Sequence, residues 1–480
     1  MPKYIISFVF NNFNFIFFMF GLILSTFVIL IAKEFIKEKI QRYYIVSFVF
    51  LISFSALIYT ESWLGFIVAW ELVTITTTLI LLWRGRGLAS QYFIFQFSGT
   101  AILFLSFLLA MNQGYDSIMP INEVWLQNLL VLGVGMKSAI LGFHFWMPAI
   151  YSKAPIPFNA ISSGWVVKLG FILLLKVIPH GNALLFVLGI LMVFYGGFKA
   201  LIASDFKVLL AFSSVSQLGF IAIGIASGTV YGYLGSIFHI IAHGLAKSSL
   251  FIICGQMVKE YASSCIYDFK VFFKRHPLSS FTMIIAFASL IGVPLLAGFN
   301  SKYLLKFGLN NQIFFAIMMY AATLLTALYS LRFLYWGIFK DLLPSNGAKE
   351  EKKRQKNFQL PSIHYLVLLL LSSLILLVGL QAELIMNAIM EIDFTYNLFI
   401  GFIENLIIIT LAYLILRYYN YFQLTRREVP SLDGIFQKLY KILYNIGRKS
   451  YNWIYQDFQY QLLCIPLFLI IILLWGLFFV

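Results

Sequence analysis

The sequence predicts an all-α, polytopic membrane protein with about fourteen transmembrane helices, two of them broken. Three observations lead there. The 480 residues are 61% hydrophobic and only 11% charged, with a mean hydropathy of +0.89, whereas a soluble domain carries about 25% charge. Apolar runs long enough to span a bilayer, about 20 residues each, recur along the whole chain. The loops between them alternate between basic and non-basic. A soluble enzyme, a disordered chain and a secreted disulfide scaffold are all excluded by this composition.

In order, the expected spans lie near 5–32, 43–60, 62–83, 90–111, 124–150, 157–178, 183–203, 207–226, 231–258, 278–308, 313–339, 362–382, 396–417 and 460–480. The opening MPKYIISFVF has a short basic start and a long apolar run, with no small-residue cleavage signature after it. It reads as a retained first helix and not a signal peptide. One set of alternate loops holds Lys33, Lys37, Lys39 and Arg42; Arg84 and Arg86; Lys153; Lys207; Lys259, Lys270, Lys274 and Arg275; the stretch from Lys340 to Lys356; and the stretch from Arg426 to Lys449. The other set, near 60, 112–123, 179–182, 227–230, 309–312 and 383–395, has no Lys or Arg and carries Asp116, Glu123, Glu383, Glu391 and Asp393. The positive-inside rule then places both termini outside. It also accounts for the net charge of +15 without invoking nucleic acid.

Two spans look interrupted. GVGMKSAILGFHFWMPAI (133–150) has glycines before Lys137 and ends near Pro148; SLIGVPLLAGFNSKYLLK (289–306) holds Pro294, Gly298 and Asn300. Broken helices in corresponding halves are the mark of a transporter built on inverted repeats. Segment 431–458 differs from the spans: aromatic and aliphatic residues recur at helical spacing with Lys438, Lys441, Arg448 and Lys449 between them. It reads as an amphipathic helix along the inner membrane surface. The organisation expected is N-terminal helices over 1–60, a core over 61–390, and C-terminal helices with this surface segment over 391–480.

A few ionisable residues fall near span centres, where a charge costs about 2.5–3.5 kcal/mol to insert. They are Glu71, Lys137, Lys168, Lys247 and Lys302, joined by His239 and His243. The spacing of His239, His243 and Lys247 puts all three on one stripe of one helix. Lys176, Lys199, Lys259, Lys306 and Arg332 lie nearer span ends or breaks, where a long side chain snorkels. One carboxylate cannot neutralise four lysines, so some must share water and counter-ions or give up their protons part of the time. A row of such groups along the midplane reads as a proton relay. Accessory candidates are His144, Asp205, Lys207 and Arg332. Asp205 and Lys207 read first as a helix cap and an interface anchor. His180, His276 and His364 are expected in loops without a function.

Cofactor chemistry is not expected. Cys254, Cys265 and Cys464 form no CxxC pair, which argues against iron–sulfur or zinc. No GxxxxGK[ST] occurs, and no GxGxxG follows a strand, so no nucleotide site is readable.

The motifs bearing these residues resemble the antiporter-like subunits of respiratory complex I, Mrp-type cation/proton antiporters and membrane-bound hydrogenases. The matching stretches are AWEL around Glu71, KSAILGFHFWMPAIYSKAP from Lys137, VVKLGFILL around Lys168, SDFKVLLAFSSVSQLGF (204–220), FHIIAHGLAKSSLF (238–251) and GVPLLAGFNSK ending at Lys302. The resemblance covers roughly 60–310, with its ionisable residues in family order. It implies two inverted five-helix repeats, and proton transfer by Glu71, Lys137, Lys168, Lys247 and Lys302 with help from His239 and His243. It implies other membrane subunits as partners in a larger complex, no redox or hydrolytic site in this chain, and a prokaryotic inner membrane. The chain departs from the family in having two helices, not about four, before the one bearing the Glu.

The expected function is proton translocation by one subunit of a multi-subunit complex, coupled to redox chemistry or cation exchange. Two alternatives stand beside it. One is an Mrp-type Na⁺/H⁺ antiporter or an energy-coupling subunit for inorganic-carbon uptake. The other is a scaffold or solute carrier in which the buried charges are only structural pairs.

Overall fold

The computed structural model describes residues 3–269, 272–309, 313–338, 361–390 and 398–418. In chain order its helices are α1 (Lys3–Phe35), α2 (Ile40–Tyr59), α3 (Trp63–Leu81), α4 (Arg86–Asn112), α5 (Val124–Lys137), α6 (Trp146–Tyr151) and α7 (Ile156–Gly164), then a 3₁₀ turn (Val166–Lys168). They continue with α8 (Leu169–Val177), α9 (Ala183–Ile202), α10 (Phe206–Ala226), α11 (Val230–Tyr261), α12 (Phe272–Arg275), α13 (Pro277–Ile291), α14 (Ala297–Gly308), α15 (Ile313–Ile338), α16 (Ser362–Leu380), α17 (Ala382–Met390) and α18 (Leu398–Tyr418). Apart from these, the described residues hold one isolated antiparallel bridge, between Asp205 and Cys265.

Eleven segments are long and apolar enough to cross a bilayer, and Val124–Lys137 and Pro277–Ile291 are shorter apolar helices. All fall on the runs expected from the sequence, and the chain is a multi-pass helical membrane protein. The expected fourteenth span (460–480), the amphipathic segment (431–458) and the basic stretch 340–356 lie outside the described residues.

Local chemistry explains many of the helix boundaries. Ser62, Asn182, Asp205 and Thr229 each cap a helix by accepting a backbone N–H three residues on, which satisfies a donor the helix cannot use. Both expected interruptions are present. After α5 the backbone turns at Ala139 (φ 52°) and Gly142 (φ 97°) before α6 begins. After α13 it turns at Gly292 (φ 98°) and Leu295 (φ 70°), with Pro294 disfavouring helix at the residue before it. Gly298 then allows α14 to fold back, since a Cβ there would collide with the Ser289 carbonyl.

A third interruption is not legible in the sequence. The span expected over 157–178 breaks at Trp165 (φ −135°, ψ −58°) into α7 and α8. Its indole packs among the rings of Phe17, Phe20 and Phe54. Packing against α1 and α2 outweighs the helical tendency of the local sequence.

α10 and α11 occupy the centre of the bundle and are buried on nearly every side; α7 and α8 are buried as well. By contrast α2, α16 and α18 expose large apolar side chains such as Phe48, Leu377 and Phe399, as a lipid-facing surface does. α9 lies against α10 through small residues. A Cβ on Gly196 would stand 2.5 Å from Ser216 N, and one on Gly219 2.6 Å from the Gly189 carbonyl. Close helix approach through small residues is the usual packing mode in lipid.

Of the histidines expected in loops, His364 lies within a helix and His276 is in the short connection between α12 and α13. His364 is the third residue of α16, fully buried, with Nδ1 2.8 Å from Glu34 of α1. His276 is the N-cap residue of α13, with Nε2 2.8 Å from Glu260 of α11. In both cases a carboxylate from a distant helix accompanies the imidazole into the protein.

Candidate functional site

Lys137 is the last residue of α5, and the break that follows leaves its ammonium deep in the bundle, 1% exposed. Its Nζ donates to the Trp70 carbonyl (2.9 Å) and to the Thr74 hydroxyl (2.7 Å) on α3, and lies 4.0 Å from the Trp70 ring centroid. The Thr74 hydroxyl also donates to the Trp70 carbonyl, at 3.0 Å. Hydrogen bonds from a charged group are worth about 1.5–3 kcal/mol each, enough to offset insertion of the charge. Glu71, the residue after Trp70, is half-buried; its Oε1 is enclosed and has no hydrogen-bond partner. Lys137 therefore sits beside the carboxylate but is held by neutral oxygens.

Lys168 ends the 3₁₀ turn, and Lys247 lies midway along α11; both are completely buried. Lys168 Nζ donates to the Ser163 carbonyl. Lys247 Nζ donates to the Leu210 carbonyl (3.1 Å) and to the Ser213 hydroxyl. Ser163 and Ser214 share a hydroxyl contact of 2.9 Å. Serines of α7 and α10 thus meet beside both lysines: Ser163 receives Lys168 and touches Ser214, whose chain neighbour Ser213 receives Lys247.

His239 and His243 stand on α11, two turns and one turn before Lys247 respectively, with rings parallel within 7° and centroids 6.2 Å apart. His239 Nδ1 is 2.9 Å from the Ser301 hydroxyl, which donates to the Gly298 carbonyl at 2.8 Å. With its own proton on Gly298, the Ser301 hydroxyl is free to accept from His239 Nδ1. His239 Nε2 and both nitrogens of His243 are buried with no hydrogen-bond partner. Orphaned imidazole nitrogens at this depth are costly and call for water or a mobile proton.

Lys302 lies on α14 just past the second break. Its Nζ donates to the Ile291 carbonyl (3.3 Å) and lies 4.5 Å from the Phe220 ring centroid. Ile291 ends α13, so the break supplies the free carbonyl that receives the ammonium. Irregular backbone at membrane depth is tolerated where it lies inside protein or lines a hydrated cavity. Here one break holds Lys137 and the other holds Lys302.

The accessory candidates separate by their contacts. Asp205 caps α10 through Val208 N (3.0 Å) and receives the Ser264 hydroxyl. Lys207 is buried in the first turn of α10. His144 is buried in the first break with its ring 5.0 Å from that of Tyr195. Arg332 donates to the Leu201 (2.6 Å) and Ala203 (2.9 Å) carbonyls and to the Tyr267 hydroxyl (2.7 Å). It ties α15 to the C-terminal end of α9.

Gln217 and Glu404 escaped the sequence reading, and Lys176 and Lys306 were read there only as snorkelling lysines. Gln217 of α10 donates to the hydroxyls of Thr326 and Tyr329, at 3.1 Å each. Lys176 is buried and donates to the Ile58 carbonyl (2.9 Å). Lys306 is paired with Glu404 of α18 at 2.8 Å. Glu404 interrupts the apolar run LFIGFIENLIII, and that signal was available in the sequence. Among the described residues no cluster of His, Cys, Asp and Glu is arranged to hold a metal.

A bundle of apolar helices in which two breaks each lie beside a buried lysine has the architecture that discontinuous-helix transporters use. More narrowly, residues 60–326 match the NADH:quinone oxidoreductase/Mrp antiporter transmembrane family, and the chain belongs to it. NADH-quinone oxidoreductase subunit N of Desulforudis audaxviator is 29% identical over 287 residues, covering 56% of this chain and 57% of that protein. A putative antiporter subunit, mnhA2, of Staphylococcus saprophyticus is 25% identical over 391 residues, covering 71% of this chain and 48% of that protein. The structure of the Mrp complex from Dietzia sp. aligns over 98% of this chain and 55% of its own, with a TM-score of 0.73 at 22% identity. This chain therefore spans about half the length of each of these three. Its fold is that of the Mrp complex chain over the aligned length.

Proposed function

We propose that the protein is a proton-translocating, antiporter-like subunit of a multi-subunit membrane complex. One observation carries the reading: Lys137, Lys168, Lys247, His243, His239 and Lys302 are all enclosed in the bundle, with Glu71 half-buried, and they are held by neutral carbonyls and hydroxyls or by nothing at all. Charges kept only for structure would be matched by counter-charges. Lysines facing neutral oxygens can instead pass a proton on.

In this reading Glu71 and Lys137 take up a proton at the first break. Lys168 and Lys247 pass it across the serine cluster, His243 and His239 carry it along α11, and Lys302 releases it at the second break. Family membership supports the reading. It comprises fourteen helices in all, with two inverted five-helix repeats in the core over 61–390, both termini outside, and an inner-membrane location. Other membrane subunits would couple the relay to a redox reaction or to cation exchange.

The similarity to a putative antiporter subunit favours a second reading, cation/proton exchange with Na⁺ as the counter-ion. Proton movement across vesicles carrying the assembled complex tests both. Lys137→Ala and Lys302→Ala should each abolish it while leaving assembly intact, and transport at wild-type rate in both variants would sink the relay. Dependence of the wild-type rate on external Na⁺ selects the exchange reading.

A further inference from the structure

A cavity beside Lys302 continues past it to a second ionisable cluster. Its lining includes Lys302, Lys306, Tyr320, Thr323, Glu404 and Asn405. Lys306 follows Lys302 by four residues and so occupies the same face of α14. Its Nζ lies 2.9 and 2.8 Å from the two carboxylate oxygens of Glu404, and it donates to the Tyr320 hydroxyl at 2.9 Å. Tyr320 in turn donates to Glu404 Oε1 at 2.6 Å. The three side chains close a ring, each bonded to the other two.

Position matters as much as bonding. Glu404 lies six residues into α18 and Tyr320 seven into α15, so each is about 10 Å from its helix start. Lys306 is two residues from the end of α14. In the sequence α14 ends, and α15 and α18 begin, next to the stretches 309–312 and 391–397, which hold no Lys or Arg and are expected on the outer side. The ring thus stands between Lys302 and the expected outer side. Lys306 and Glu404 keep about a quarter of their side chains accessible, whereas Lys302 is enclosed.

We propose that Lys306, Tyr320 and Glu404 form the outlet gate for Lys302. A proton leaving the Lys302 ammonium crosses the cavity and is taken by the Glu404 carboxylate, leaving a neutral amine and a neutral carboxylic acid. Lys306 then has lost its counter-charge one turn from Lys302, and its repulsion opposes return of the proton. Glu404 releases the proton outward, and the ion pair with Lys306 re-forms. Tyr320 holds Glu404 in line and accepts from Lys306 throughout. This inference rests on the relay reading above, with Lys302 as its last group.

Proton movement across vesicles carrying the assembled complex tests it, with the amount of assembled subunit measured in parallel. Glu404→Gln should lower the rate at least tenfold, and Glu404→Asp should keep most of it. Tyr320→Phe, which leaves both charges in place, should lower it severalfold. The decisive variant is the double replacement Lys306→Met with Glu404→Leu, which removes both charges and keeps apolar bulk. As a gate, the double variant stays as slow as Glu404→Gln; recovery to the wild-type rate would show a structural strut and overturn the proposal. A wild-type rate in Glu404→Gln also overturns it; should Glu404→Gln fail to assemble, Tyr320→Phe decides, and a wild-type rate there overturns the proposal. Loss of transport in Lys302→Ala alone would remove the gate and leave the relay standing; wild-type transport in Lys302→Ala would remove the relay itself.

Discussion

The ammonium of Lys137 is bonded to the carbonyl of Trp70 and not to the carboxylate of the very next residue, Glu71. A direct ion pair would lock the proton in place. Neutral oxygens keep the charge in the bundle while leaving Glu71 able to bias it from close by. The pairing also joins the end of α5 to the middle of α3, so proton affinity and helix position are coupled at one site.

The first expectation concerns Thr74. Thr74→Val keeps the shape and removes one of the two hydrogen-bond acceptors of Lys137. Loss of a bond to a charged group is worth about 1.5–3 kcal/mol, so the transport rate should fall about tenfold or more with assembly unchanged. An unaltered rate would mean that the Trp70 carbonyl alone holds the ammonium.

Ser213 makes a parallel case at the second lysine pair. Ser213→Ala leaves Lys247 only the Leu210 carbonyl and removes a hydroxyl from the serine cluster. Transport should drop severalfold while the protein stays equally stable. Similar rates in Ser213→Ala and wild type would show that protons do not use this junction.

Arg332 should behave in the opposite way. Its guanidinium satisfies the Leu201 and Ala203 carbonyls and the Tyr267 hydroxyl, and each group left bare costs about 1–3 kcal/mol. Arg332→Ala should therefore lower the melting temperature in detergent and the amount of assembled protein. Transport per assembled molecule should be preserved, and its selective loss would give Arg332 a place in the relay.

Gly196 tests the packing of the centre. Any side chain there meets the backbone of α10 at Ser216 and Phe212, and overpacking costs about 1–3 kcal/mol. Gly196→Val should destabilise the protein, whereas Gly87→Ala, with open space around it, should not. Equal melting of the two variants would contradict the close approach of α9 and α10.

Which segments cross the membrane was legible from composition alone, because lipid demands long apolar runs whatever the neighbours are. The two breaks were legible too, since Pro294, Gly298 and the glycines before Lys137 are local signals. Glu71, Lys137, Lys168, His239, His243, Lys247 and Lys302 stood out because a charge or imidazole in an apolar run is costly and therefore conspicuous. Glu404 had the same signal and was passed over, and Lys306 was read as snorkelling because it lies near a helix end.

Only the tertiary structure decided what those groups touch. The break at Trp165 depends on rings from α1 and α2, and the partners of Lys137, Lys247 and Lys306 come from residues 63, 34 and 98 positions away. Hydropathy acts on each helix by itself, so the sequence determined which helices form and which charges lie within them. Whether a buried charge meets a neutral oxygen, another charge or an open cavity depends on how helices far apart in the chain are packed, and no local pattern encodes that.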